Sequence, residues 1–226
     1  MPSEDNKTYF DEGEYFVGGK SNYDKLPGGY NFLRRSLFWM GKIKRILKYK
    51  KSGKVLDIGC AYGFLLYFMK NQFEVHGCDI SPHAISQCKK LYKDAREKCF
   101  FVHDITKPLP YPENYFDVVI CQDVLEHIPN LKQSLDYIHT ILKNGGILFF
   151  RVPIKTKYKA TEFLRFENDP SHISVLYEKE LVNIIRELGF KILEKRYIWM
   201  GAFPLPKFLK FGSDVNMILE KSSKQI

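Results

Sequence analysis

The sequence predicts an α/β protein built on a doubly wound, mostly parallel sheet of seven strands whose last strand runs antiparallel. Three observations carry this reading. From residue 54 onward, short apolar runs alternate with stretches of helical periodicity. The runs KVLDI, EVHGCD, CFFVHD and FDVVIC are continuous and not in–out alternating, as expected of parallel strands covered on both faces. The final pair, KILEKRYIW and VNMILEK, is joined by FPLPKFLKFG, too short and proline-broken for a helical crossover, so that pair is antiparallel.

Element by element, residues 1–31 are rich in Gly, Tyr and Phe without a period and read as an irregular arm. Residues 32–49 read as a helix, with Leu33, Leu37, Met40, Ile43 and Leu47 at helical spacing and Arg34, Arg35, Lys42, Arg45 and Lys48 on the other face. A cap helix packed on the core is the favoured reading, and a helix lying on a membrane surface the alternative. Residues 1–53 thus form an arm and cap, and 54–226 the ligand-binding domain. KVLDI and EVHGCD are the first two strands. Ser81 and Pro82 supply a cap and a first-turn proline for the helix that follows. CFFVHD and FDVVIC come next. Leu131, Leu135, Ile138 and Leu142 mark a helix, Gly145 and Gly146 break it, and GILFFRV forms a strand stopped by Pro153. YEKELVNIIRELGF places Leu181, Ile185 and Leu188 on one helical face, with Gly189 as the C-terminal stop.

Composition narrows the class. With 226 residues, 45% apolar and 15% aromatic, the chain is long and apolar enough to bury a core, which excludes a disordered or collagen-like protein. No apolar run approaches the ~20 residues of a membrane span, and the acidic, aromatic start lacks the pattern of a signal peptide. A cytoplasmic protein is expected. Five cysteines, scattered and without ligand spacing, read as reduced thiols. The net charge of +9 invites a nucleic-acid partner. However, the basic residues are spread along the chain with no basic run interleaved with aromatics, so nucleic acid is disfavoured.

The most informative segment is VLDIGCAYGFLL, residues 55–66. A buried strand ends at Asp57, and Gly59 and Gly63 bracket a tight turn into a helix where a ligand can approach the backbone. Asp79 closes the second strand 22 positions later, near the spacing at which a carboxylate meets ribose hydroxyls. Asp104 closes the third, where it would accept from an adenine amine, with Ile80 and Ile105 facing the base. Acids at three successive strand ends repel a pyrophosphate, and the turn reads GCAYG where a dinucleotide site has GxGxxG. A cationic nucleoside suits them: S-adenosylmethionine carries a sulfonium, an α-ammonium, a ribose and an adenine.

LDIGCAYG, GCDIS, HDITKPLPYPENYFDVVICQDVLEHI and LKNGGILFFRVP resemble, in order and spacing, the motifs of class I S-adenosylmethionine-dependent methyltransferases, especially those acting on small molecules. The resemblance covers residues 54–190 and implies a Rossmann-like seven-stranded sheet with a reversed last strand. It implies that Asp57 and the turn Gly59, Cys60, Ala61, Gly63 hold the methionine end, Asp79 the ribose, and Asp104 with the Ile105 backbone the adenine. Cys121 and Gln122 would line the methyl-donor side. Ala61 departs from the usual central glycine, which implies altered contact without loss of binding.

For the acceptor, His127 and His172 are the candidate general bases. Asp123, Glu126 and His127, at i, i+3 and i+4, fall on one face of a helical turn and resemble the E-x-x-E-H metal triad of some ubiquinone-biosynthesis and small-RNA O-methyltransferases, with His172 as a fourth ligand. A structural role is favoured over a general base and over a metal, and no metal ligand is assigned. The arm 9–31 resembles the lids of related methyltransferases, with an arm packed permanently on the sheet edge as the equal alternative. The loop 200–212 is expected to pack, or else to wall the substrate or touch a lipidic acceptor. The leading expectation is a methyltransferase acting on a small molecule at oxygen. An RNA methyltransferase, a nicotinamide oxidoreductase and a non-catalytic cofactor-binding protein are the alternatives.

Overall fold

The computed structural model describes residues 30–92, 99–155, 171–199, 203–204 and 213–222. The chain falls into two compact units, Met1–Asp104 and Ile105–Ile226.

In the first unit, α1 (Tyr30–Tyr49) buries Trp39, Ile43 and Ile46 at helical spacing. The buried face is not quite the one expected: Met40 is 40% exposed, while Trp39 beside it is 6% exposed. The indole hides more apolar area than the thioether chain, so it decides which side turns inward. Trp39 stacks on Phe64 with ring centroids 5.6 Å apart and meets Phe68 at 5.8 Å. Phe64 opens the short helix α2 (Phe64–Tyr67), so α1 is a cap packed on the core. Side chains of residues 30–35, Leu33 among them, and of Leu37 lie outside the described ones.

Strands β1 (Gly53–Ile58), β2 (Phe73–Asp79) and β3 (Phe100–Val102) pair in parallel, β1 with β2 and β2 with β3. Val55, Leu56, Ile58, Val75 and Cys78 are buried, as continuous apolar strands require. Helix α3 (Pro82–Leu91) begins where the sequence placed it: Ala84 N donates to Ser81 Oγ at 3.2 Å, and Pro82 occupies the first turn. The third strand is shorter than expected. Its last pair is Asp79↔Val102, because β2 ends there and offers no further partner, so Asp104 lies two residues beyond the strand.

In the second unit, β4 (Phe116–Gln122) pairs in parallel with β5 (Leu142–Lys155), and α4 (Leu131–Ile141) connects them. Then follow β6 (Leu176–Tyr177), α5 (Glu178–Glu187), β7 (Phe190–Trp199), β8 (Phe203–Pro204) and β9 (Asp214–Lys221). The expected antiparallel pair is β7 with β9. Within the sheet β9 lies between two strands, since it also pairs antiparallel with β5. Its run of buried Val215, Met217, Ile218 and Leu219 suits that position, where both neighbours and both faces are covered. Gly189, at φ 82°, ends α5 as expected.

Pro153 does not stop β5, which runs on to Lys155. Ile154 N donates to Ser213 O at 3.0 Å, so the adjacent residue's nitrogen points the other way. On that side the ladder with β4 has already ended at Gln122↔Arg151, and a missing N–H costs nothing there. Apart from Phe203 and Pro204, which form β8, the 200–212 loop lies outside the described residues, as does the arm 9–29.

Trp39→Ala is expected to lower stability by about 3 to 5 kcal/mol, the range for truncating a buried aromatic ring, in denaturant titration. An unchanged midpoint would show that α1 does not brace the first unit.

Candidate active site

The segment GCAYG is bound to the tip of β2. Gly59 N and Cys60 N both donate to Cys78 O, at 2.8 and 3.0 Å, and Gly63 N closes a turn onto Cys60 O at 2.9 Å. Three of its residues have left-handed backbones: Gly59 at φ 73°, Ala61 at φ 48° and Gly63 at φ 74°. Gly63 is required on two counts. Beyond its φ, a Cβ there would lie 2.5 Å from Cys88 Sγ and 3.1 Å from the Tyr92 ring. Tyr92 Oη also donates to Gly63 O at 3.0 Å. Ala61 departs from glycine in the sequence and takes the glycine-like conformation anyway, and it is held there in part by the bond from Ala61 N to Asp79 Oδ2 at 2.9 Å.

Asp79 joins three pieces of chain. Its Oδ2 accepts from the glycine turn, and its Oδ1 accepts from Ser81 N at 2.9 Å, at the start of α3. Burial raises its pKa, and the backbone N–H groups of Ser81, Ala61 and Ile80 work against that rise. Asp57 is also buried. Desolvation pushes its pKa up to about 7, against the Lys42 ammonium and together with repulsion from Asp79. Lys42 comes from α1, so the cap helix carries a cation toward the acidic strand tips. Ile80 is half-buried and Asp104 likewise, while Ile105 is buried and its carbonyl accepts from Ser134 Oγ at 3.1 Å.

In the second unit the residues after β4 arrange differently from the expectation. Only Leu125–His127 form a helical turn, and it is a tight 3-10 turn. Asp123 lies before it with φ 57°, and its carboxylate is taken by the Arg151 guanidinium. The trio Asp123, Glu126 and His127 therefore does not assemble. Instead the segment from Ser171 docks on this turn: Ile173 N and Ser174 N both donate to Glu126 O at 2.9 Å. This brings His172 to His127, with ring centroids 4.8 Å apart, edge to face. The potential ligand atoms of Glu126, His127 and His172 lie within 4.8 Å of one another.

Within this group, His127 Nδ1 lies 3.2 Å from Ser171 O and 2.9 Å from Ser171 Oγ. A carbonyl only accepts, so Nδ1 carries the hydrogen in the neutral ring and Nε2 presents its lone pair. Glu126 is 2% exposed, and its Oε2 is buried without a hydrogen-bond partner among the described residues. Burial first, and then the Asp123 carboxylate, hold its pKa well above the ordinary carboxyl range. Cys121 is fully buried and Gln122 half-buried at the end of β4.

Sequence reasoning placed Asp57, the glycine turn and Asp79 together, and they are together. It named His127 and His172, and they touch. It missed Lys42, Arg151 and Ser171. Lys42 was visible only as one charge on a basic face. Nothing local marks Arg151 or Ser171, because their partners are 28 and 44 residues away.

The chain matches the methyltransferase-domain family over residues 32–195 and belongs to it: it is a class I S-adenosylmethionine-dependent methyltransferase. It is 37% identical over 197 residues to the protein MJ0638 of Methanocaldococcus jannaschii, covering 86% of this chain and 77% of that one. Phosphoethanolamine N-methyltransferase 3 of Arabidopsis thaliana is 29% identical across 76% of the chain, which spans 34% of that protein. A ubiquinone biosynthesis O-methyltransferase of Azoarcus is 31% identical across 49% of the chain and 48% of its own length. A solved S-adenosylmethionine-dependent methyltransferase of Methanosarcina mazei shares the fold, with a TM-score of 0.59, 20% identity, and 78% of this chain and 96% of that one covered. The Rossmann-like expectation holds.

Two predictions follow from the glycine turn and the buried acids. Gly63→Ala is expected to destabilise the protein by about 2 to 4 kcal/mol through overpacking and a left-handed backbone, and an unchanged melting temperature would contradict this. Asp57 ionises near 7 when folded against its ordinary 3.8, so the folded chain holds the extra proton between those values. Stability should therefore fall as pH rises from about 4 to about 7. Asp57→Asn should flatten that slope in urea titrations at several pH values; parallel profiles for the two proteins would refute the assignment.

Proposed function

We propose that this protein transfers the methyl group of S-adenosylmethionine to a small molecule, at oxygen. The observation that carries the donor assignment is the pair of buried acids, Asp57 and Asp79, beside a turn that admits no Cβ at Gly63. A carboxyl pushed up to about 7 by burial is short of positive charge, and a cationic ligand restores it. The residues fit the ligand's chemistry: Asp57 with Gly59, Cys60, Ala61 and Gly63 toward the methionine end, Asp79 toward the ribose, and Ile80 against the base. Asp104 and the Ile105 backbone toward the adenine, and Cys121 and Gln122 toward the donor methyl, rest on the family resemblance. Bound there, the sulfonium supplies an activated methyl with a good leaving group.

The protein's own contribution is to orient and to move a proton. A positioned acceptor gains most of its rate from proximity, on the order of 7 to 11 kcal/mol at best. His127, its Nδ1 hydrogen held by Ser171, offers Nε2 to take the proton of an acceptor hydroxyl, and His172 flanks it. Support for a small acceptor comes from the relatives, one named for phosphoethanolamine nitrogen and one for an oxygen in ubiquinone biosynthesis.

One observation favours a second reading of the same side chains. Glu126 Oε2 is buried without a partner beside two imidazoles, and two nitrogens with one carboxylate oxygen form a set for a borderline divalent ion such as Zn²⁺, better than for Mg²⁺. Glu126, His127 and His172 would hold such an ion, which would polarise the acceptor oxygen.

Calorimetry with S-adenosylhomocysteine and NADH tests the donor: the former should bind and the latter not, and tighter NADH binding reverses the reading. Asp79→Ala should weaken S-adenosylhomocysteine by about 1 to 3 kcal/mol, with a parallel melt to separate affinity from folding. Transfer of radiolabel from the donor into extract fractions identifies the acceptor. With that acceptor, His127→Ala should lower turnover by about 10² to 10⁴ and leave S-adenosylhomocysteine affinity intact. Full turnover in the variant removes His127 as base. Chelator discriminates the two readings, since undiminished turnover leaves the trio without an ion.

A further inference from the structure

The chain's net charge of +9 equals the charge of one short stretch. Nine of the 35 Lys and Arg fall between residues 30 and 56, where there is no Asp or Glu; the other 26 basic residues are matched by the chain's 26 acidic ones. Summed over the rest of the chain the charges cancel, and from α1 to the start of β1 basic residues stand with no acid among them.

Folding sorts those whose side chains are described, with Lys50 half-buried. Lys54 pairs with Glu74, Lys42 faces Asp57, and Arg45 is half-buried. Lys44, Lys48 and Lys51 are exposed. Lys44 and Lys48 stand with the exposed Met40 at four-residue spacing, on a different side of the helix from the buried Trp39, Ile43 and Ile46. Lys51 follows just past the helix end. The outward face is therefore a line of lysines with one apolar side chain at its head.

We propose that this face docks the protein on an anionic bilayer surface. The apolar side of α1 is consumed by the core, so the attraction is electrostatic, as for basic clusters on helices that meet anionic headgroups. Lys44 and Lys48, one turn apart on the helix, and Lys51 just beyond its end are compact ammonium groups, which suit a plane of diffuse phosphate charge. Met40 adds a group that enters the headgroup layer. A polynucleotide would instead be gripped by planar guanidinium forks or by stacking on exposed rings. On this face Arg45 is turned partly inward and Tyr49 is half-buried, with the Lys48 ammonium 4.9 Å from its ring centroid. The inference stands independently of the reaction proposed above.

The test is co-sedimentation of the full chain with vesicles of about 30% phosphatidylglycerol in phosphatidylcholine, against phosphatidylcholine alone. Binding is expected only to the anionic vesicles, falling at least about tenfold as salt rises from about 50 to about 300 mM. Lys44→Gln, Lys48→Gln and Lys51→Gln together should reduce it about a hundredfold, from roughly fivefold per lysine at an anionic surface, with an unchanged melting temperature. Equal partition into neutral vesicles, insensitivity to salt, or wild-type binding by the triple variant would overturn the proposal. So would displacement from the vesicles by single-stranded RNA at lower concentration than soluble phosphatidylglycerol headgroup, which would assign the face to a polynucleotide.

Discussion

Asp79 accepts one backbone hydrogen bond from the glycine turn and another from the start of α3. It sits at the last residue of β2, so a single carboxylate fixes the strand tip, the turn and the helix relative to one another. The turn depends on this bond because Ala61 adopts a backbone that a residue with a Cβ resists. The proposed function gives the same carboxylate the ribose hydroxyls as well, since its two oxygens offer about four acceptor sites and the N–H groups of Ser81, Ala61 and Ile80 do not exhaust them. In the proposed function the side chain that fixes the turn and the helix also meets the ligand, so a capping role does not compete with a binding role.

Charge balance near those tips depends on burial more than on sequence. Counting acids suggests a strongly negative cradle. In the folded protein burial raises the pKa of both acids, that of Asp57 to about 7, and the Lys42 ammonium of the cap helix works against that rise at Asp57. In the proposed function a cation arriving there favours the ionised form of Asp57, which would couple ligand binding to proton release near neutral pH. The basic helix thus acts in two directions, with Lys42 turned toward the acids and Lys44, Lys48 and Lys51 turned to solvent.

The second unit shows how a local pattern misleads. Asp123, Glu126 and His127 have the spacing of one helical face, yet the turn is too short and too tight for that face to exist, and Arg151 captures Asp123. A segment more than forty residues away supplies the replacement, with Ser171 orienting His127 and His172 set against it.

The sequence alone determined the strand and helix order, the reversed last pair, the caps at Ser81 and Gly189, and the glycine turn with its acids, because each depends on neighbours within a few residues or on a periodicity that burial imposes. Tertiary structure decided which side of α1 faces inward, how far β3 extends, that Pro153 lies within β5, that β9 is internal, and which side chains meet at His127. Those outcomes depend on partners distant in sequence: where β2 and β4 end, how large Trp39 is against its neighbours, and which carboxylate Arg151 reaches. Spacing along a chain carries no information about such encounters.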